Sequence, residues 1–364
     1  MSLQAIIYNL DGLFVLDQLL LPHQHKYVPV KTIEDSFSVI KKMQVRGAPA
    51  IGIVAALSVA VGLRNLGEGE DAKHFVIDSL EHLKESRPTA VNLFEAAHQL
   101  QNVARSVHPS QVKEKVIQEA EAILDKDLRD NHAIGAAGRQ FLLDHYKGTK
   151  SKLTVLTHCN TGSLATSGYG TALGVIRALH ENGNLEHAFC TETRPYNQGS
   201  RLTAFELVHD RIPATLVTDS TAASIMNKID AIVVGADRVT RNGDTANKIG
   251  TLNLAVLANY FNIPFIVAAP FSSIDLNLAS GSQITIEQRP SIEMITVRGP
   301  VVKNSNATEF GKDERIHIAA PGINTYCPAF DVTPAKLIAA VATEKGYYTA
   351  TKEKFSFTDS PELA

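Results

Sequence analysis

Short apolar runs that break off at small polar residues and glycine recur through the second half of the chain. Leu153-Thr154-Val155-Leu156 has the composition of a buried strand, and Thr157-His158-Cys159-Asn160-Thr161-Gly162-Ser163 that of its carboxyl end opening onto a loop. A helix is expected next, over residues 164–179, in spite of Gly168, Gly170 and Gly174. The strand signal returns at residues 187–190, 214–217, 231–235 and 264–269, separated by helical patterns at 200–209, 222–228 and 249–260. Residues 242–248 are expected to open the last of these helices. Repeated βα units of this length predict a Rossmann-like, largely parallel sheet covered by helices. No Gly-x-Gly-x-x-Gly follows the first strong strand, so the pattern carries no dinucleotide claim. Further on, residues 316–319 read as a late strand, and Thr333-Pro334 as the cap and first turn of a helix over 335–343. The residues after about Phe355 read as polar and weakly ordered.

The first half has a different rhythm. β-prone pieces at residues 5–8 and 14–16 suggest a small sheet element, and Thr32 is placed to cap a helix from Ile33 to about Val45, with Glu34 and Asp35 in its first turn. Arg46-Gly47-Ala48-Pro49 then leads into an apolar helix. Helical spacing continues at 71–83, 90–103, 109–124 and 133–142, and the polar, glycine-containing stretch 146–152 separates it from the first strong strand. The chain is therefore expected to be α/β in two parts. Residues 1–147 form a smaller, mainly helical N-terminal domain with a short β element, and residues 148–364 the Rossmann-like catalytic domain.

Composition narrows the partners. With 35 basic and 38 acidic residues the formal charge is -3, which gives no reason to expect nucleic acid or an anionic membrane surface. The most apolar stretches, 48–63 and 249–258, are interrupted by polar residues or glycine and are expected to be buried helices rather than spans. Asp11 and Asp17 interrupt the N-terminus, where a secretory signal would be continuous. Cys159, Cys190 and Cys327 have neither a disulfide-framework number nor metal-site spacing. A cytoplasmic setting is expected, with the nucleus left open.

Chemistry-bearing residues gather where strands are expected to end. Cys159 stands in the first such loop, where the field of a following helix would favour thiolate; buried, unreactive cysteine is the competing reading. Asp237, in Gly235-Ala236-Asp237-Arg238, offers a carboxylate, unless it caps a helix or pairs with Arg238. Arg194, Gln198, Asn247 and Lys248 suit an anion such as phosphate, and Arg46 and Arg87 each precede a predicted helix start in the first half. Loops from separate strands of such a sheet converge on one crevice. Zinc is disfavoured, because His158 and Cys159 are adjacent and no further Cys/His set completes a pattern.

These segments, together with Glu192-Thr193-Arg194-Pro195, Gln198-Gly199, Asn242-Gly243-Asp244-Thr245-Ala246-Asn247-Lys248-Ile249-Gly250-Thr251 and Pro328-Ala329-Phe330-Asp331-Val332-Thr333-Pro334, resemble the methylthioribose-1-phosphate isomerase family from about residue 40 to 345. The wider group also holds ribose-1,5-bisphosphate isomerases and the non-catalytic regulatory subunits of initiation factor 2B. The resemblance implies conversion of 5-methylthio-α-D-ribose 1-phosphate to 5-methylthio-D-ribulose 1-phosphate in methionine salvage, by a homodimer using no cofactor and no metal. It implies that Cys159 is the catalytic cysteine and Asp237 the acid/base carboxylate. Arg46, Gly47, Arg87, Gln198, Asn247 and Lys248 match substrate-binding positions.

Overall fold

A computed structural model describes residues 3–88, 90–306, 309–350 and 355–358. The chain opens with an antiparallel meander of β1 (Ile6–Asn9), β2 (Gly12–Leu16) and β3 (Tyr27–Val30), the last of which the sequence pattern does not signal. Then come α1 (Ile33–Lys41), α2 (Ala48–Asn65), α3 (Ala72–Ser86), α4 (Val91–Ser106) and α5 (Val112–His145). Thr32 caps α1 as expected: its side chain accepts from the Asp35 N–H, and Asp35 answers with a reciprocal bond to the Thr32 N–H. Helix α2 is apolar all round because it is the core, buried among α3, α4 and α5.

Two helices expected at 109–124 and 133–142 are one. The intervening Asp125-Lys126-Asp127-Leu128-Arg129-Asp130-Asn131-His132 holds no glycine or proline to stop a helix, and Lys126 pairs with Asp130 one turn on. The 34-residue α5 begins in the N-terminal core, through Val112, Val116 and Ala120, and ends in the core of the large sheet, through Ile134, Ala137, Phe141 and Leu142.

The second half contains β4 (Leu153–Thr157), α6 (Ala172–Glu181), β5 (Leu185–Thr191), α7 (Ala204–His209), β6 (Ala214–Val217), α8 (Ala222–Ile225) and β7 (Ala231–Val234). A hairpin of β8 (Arg238–Thr240) and β9 (Thr245–Lys248) precedes α9 (Thr251–Tyr260), β10 (Phe265–Ala268) and β11 (Ile274–Asp275). Then follow α10 (Ser291–Ile295), a second hairpin of β12 (Thr296–Val302) and β13 (Phe310–His317), β14 (Phe330–Thr333), β15 (Ala340–Thr343) and β16 (Gly346–Thr349). The large sheet runs in the order β16-β15-β10-β7-β4-β5-β6, parallel except for β16. This is the expected Rossmann-like layer, flanked by helices on both faces.

Four further expectations are corrected. The helix placed at 164–179 starts only at Ala172, because Tyr169 (φ 64°) and Gly170 (φ 80°) are left-handed and Gly170 packs on Gly162 too closely to admit a side chain. Residues 242–248 form the turn and second strand of a hairpin, with Gly243 at φ 93°. Residues 335–343 are a short 3-10 turn and the buried strand β15; an apolar run buried on both faces fits helix and strand alike, and pairing with β10 decides it. Near the end, Phe355 and Phe357 are buried against Tyr348, while residues 359–364 lie outside the described residues.

Candidate active site

From β4 the chain winds outward through β5 and β6 on one side, whereas β7, β10 and β15 lie on the other, so the order reverses between β4 and β7. Crevices at such reversals, beyond the carboxyl ends of the strands, are where open α/β sheets bind ligands. Cys159 follows β4 and Asp237 follows β7. A cavity of about 310 Å³ opens there, and Cys159, Asp237, Arg46, Gly47, Arg87, Gln198, Asn247 and Lys248 all line it. Residues far apart in sequence thus meet as the loop pattern predicts.

Cys159 is held in the left-handed region, at φ 64°. Its N–H donates to Thr193 Oγ1 at 2.9 Å, and the Thr203 hydroxyl donates to its carbonyl oxygen. Burial pushes the thiol above its ordinary pKa; Lys248 and Arg46 draw it back, and the Asp237 charge adds to the rise. The thiolate-favouring helix field expected from sequence is overruled, since α6 begins well beyond the loop and desolvation dominates. Cys159 is a neutral thiol. The neighbouring His158 is kept neutral by burial, its Nε2–H donating to Ile249 O at 2.9 Å and its Nδ1 accepting from the Thr191 hydroxyl at 2.5 Å.

Asp237 neither caps a helix nor pairs with Arg238, whose Nη1 donates to Asp275 at 2.6 Å instead. Its backbone N–H joins the hairpin through Ala246 O, leaving the carboxyl to the cavity. Burial pushes that carboxyl above the usual range, Glu287 pushes it further, and Lys248 and Arg87 oppose both. Two groups on adjacent strand ends are therefore tuned toward holding protons.

The cationic side of the cavity is assembled from both halves. The Arg46 guanidinium lies 4.6 Å over the Tyr196 ring, and the Lys248 ammonium donates to Ala329 O at 3.0 Å and sits 4.5 Å over the Phe330 ring. Gly47 precedes α2 at φ 98°, where a Cβ would stand 2.3 Å from Ala165 O, so the N-terminal turn of this 18-residue helix approaches the Cys159 loop directly. Gln198 is buried with its Oε1 unpartnered among the described residues, while Asn247 Nδ2 donates to Thr251 Oγ1 at 3.0 Å.

Sequence reasoning passed over the groups that shape the Cys159 loop. Glu206 and Arg177 form a buried ion pair at 2.8 Å. The Glu206 carboxylate also accepts from Asn160 Nδ2 at 2.9 Å, Ser163 N at 2.7 Å and Leu164 N at 3.2 Å, and it occupies the space a Gly162 side chain would need. The available signal was a charge interrupting an apolar helix face, in Ala-Leu-Gly-Val-Ile-Arg177 and in Ala-Phe-Glu206-Leu. Gln18 and Glu287, likewise not anticipated, line the cavity.

Comparison with known proteins gives a consistent picture. Residues 44–350 match the Initiation factor 2 subunit family. A methylthioribose-1-phosphate isomerase of Schizosaccharomyces pombe is 73% identical over 361 residues, covering 98% of this chain and 100% of that protein. Among solved structures, 5-methylthioribose 1-phosphate isomerase from Pyrococcus horikoshii superposes with a TM-score of 0.82 at 36% identity, covering 95% of this chain and 92% of that one. The translation initiation factor eIF-2B, subunit delta, from A. fulgidus does so with a TM-score of 0.82 at 35% identity, covering 97% of each chain.

Proposed function

Because the chain belongs to the Initiation factor 2 subunit family, and within it to the methylthioribose-1-phosphate isomerases, we propose that the cavity between β4 and β7 is where that isomerisation takes place. The enzyme is an aldose–ketose isomerase that converts 5-methylthioribose 1-phosphate to the corresponding ketose in methionine salvage. The observation that carries the assignment of the site is the meeting of a neutral thiol and a buried carboxyl at the sheet's winding reversal, beside a cluster of cations.

The phosphate is held by Arg46, Lys248 and the free N–H groups at the start of α2, whose dipole favours an anion. Carbon 1 carries the phosphate, so the ring must open before the aldose can become a ketose. As the bond from carbon 1 to the ring oxygen breaks, that oxygen gains a proton, and the carbon 2 hydroxyl loses its own as the ketone forms. The hydrogen on carbon 2 ends on carbon 1, either as a proton through an enol or as a hydride. In both routes Cys159, held neutral, supplies a proton and Asp237 accepts one. Ile51, Val91 and Leu202 give the cavity an apolar wall that limits competing water.

The deciding assay offers the purified protein 5-methylthioribose 1-phosphate and ribose 1,5-bisphosphate without added cofactor, with products identified by mass spectrometry and NMR. Conversion of the methylthio sugar is expected. No conversion of either would favour a regulatory, non-catalytic role for the same cavity.

The working unit is proposed to be a homodimer. Val301, Ile316 and Ile318 leave an apolar patch exposed on one face of the β12–β13 hairpin, as a subunit contact would. Light scattering should report twice the chain mass, and Val301→Glu with Ile316→Glu should halve it. A cytoplasmic setting belongs to the same reading, supported by three free, buried cysteines and tested by imaging a fluorescent fusion.

A further inference from the structure

We propose that Gln18, in the turn after β2, is a substrate-binding residue whose side-chain carbonyl accepts a hydrogen bond from a ribose hydroxyl; the inference rests on the sugar-phosphate reading above. Gln18 is 2% exposed and lines the cavity, although it comes from the small N-terminal meander, remote in sequence from every other residue there. Its Nε2 donates to Leu164 O at 2.6 Å. That carbonyl can only accept, so it fixes which end of the amide is nitrogen. The remaining atom, Oε1, is buried and has no hydrogen-bond partner among the described residues.

An amide oxygen left buried without a donor is destabilising, and native proteins place such groups where something completes them. Gln198 Oε1 stands in the same condition on the same cavity. The two amides complement the rest of the lining. Arg46, Arg87 and Lys248 are donors without acceptor capacity, suited to a phosphate, whereas the hydroxyls of a sugar need acceptors. A ribose phosphate presents both demands at once.

Gln18 is also preorganised. Its N–H donates to Gln44 O at 3.0 Å, its carbonyl accepts from Arg201 Nη2 at 2.7 Å, and Asp17 Oδ1 accepts the Leu19 N–H at 3.0 Å. The turn is thus pinned on both sides of the residue, and little freedom is left to lose when substrate arrives.

The test uses the full-length protein and a carbocyclic analogue of 5-methylthioribose 1-phosphate, whose ring cannot open, together with its 2-deoxy and 3-deoxy forms, titrated by calorimetry. Wild type is expected to bind the parent about tenfold more tightly than one of the deoxy forms. Gln18→Met is expected to bind the parent and that deoxy form within about twofold of each other, because the acceptor is gone. The ratio is taken on one sample, so a partly unfolded variant does not disturb it. Gln18→Glu keeps an acceptor oxygen and is expected to keep the discrimination, although the Leu164 carbonyl loses its donor. Equal weakening of all three ligands by Gln18→Met, or no change in any of them, would overturn the proposal and leave Gln18 as a tie between the meander and the Cys159 loop. Loss of discrimination in Gln18→Glu would do the same. Failure of wild type to bind the parent at all would instead remove the sugar-phosphate reading, and this inference with it.

Discussion

Cys159 and Asp237 leave the carboxyl ends of the adjacent parallel strands β4 and β7, at the one place where the winding of the sheet reverses, and the charge of Asp237 raises the proton affinity of the thiol. Each residue reaches the cavity by a short path from a rigid, buried strand, so neither depends on a mobile loop tip for its position.

Asp237→Asn should lower turnover by about 100-fold or more while leaving affinity for the substrate within a few-fold, since the amide keeps the shape and loses the proton acceptor. Cys159→Ser should also cut turnover, because a hydroxyl in the same place is a far weaker acid. Steady-state kinetics with a separate binding titration checks both. Unchanged turnover in either variant would take that residue out of the chemistry.

The pH profile follows from the same burial. Asp237 must be ionised to accept a proton and its pKa is raised, so the acidic limb of activity should lie above the ordinary carboxylate value of about 4. Cys159 must stay protonated and its pKa is raised too, which places the alkaline limb above the usual thiol range. Lys248 lowers both values, so Lys248→Ala should move both limbs to higher pH, besides weakening binding of phosphate-bearing ligands. A profile of kcat/KM in the two proteins decides it.

Tyr196 is the platform on which the Arg46 guanidinium rests, and its hydroxyl is held by Arg289 Nη2 at 2.7 Å and by Glu293. Tyr196→Phe keeps the ring and should leave KM nearly unchanged. Tyr196→Leu removes the ring and should weaken substrate binding by about 0.5–2 kcal/mol, with kcat less affected.

Asp331 reports on stability instead of catalysis. It accepts the Gly250 and Leu252 N–H groups at the start of α9, at 2.7 and 3.1 Å, yet burial raises its pKa from 3.8 to about 6. The folded state therefore holds this proton more tightly than the unfolded chain, so the stabilisation is full below about pH 4 and is lost as pH rises through about 6. Asp331→Asn should shift in relative stability toward the variant over that window, by about 3 kcal/mol. Denaturant melts at pH 4 and pH 7 measure the difference.

Much of this was visible in the chain itself. The runs at β4, β7 and β10 announced their strands because a strand buried on both faces is apolar throughout, and glycine and small polar residues marked the loops that became the cavity. Thr32 and Pro49 marked helix starts through local chemistry. What local reading missed depends on distant partners. Residues 335–343 became a strand through pairing with β10, and the Cys159 loop owes its shape to Glu206 and Arg177, which no local pattern connects to it. The direction of the Cys159 shift was missed for the same reason: a helix field is read from neighbours in sequence, and desolvation from neighbours in space.

Helix α5 rises about 50 Å in one unbroken run, and the same backbone carries Ala120 in one core and Phe141 in the other. A protease nick in the 146–152 connection would leave the apolar roof over the sheet attached to the first fragment. Neither piece would then be at home in water by itself, and the severed fragments should stay associated and release each other only when both melt.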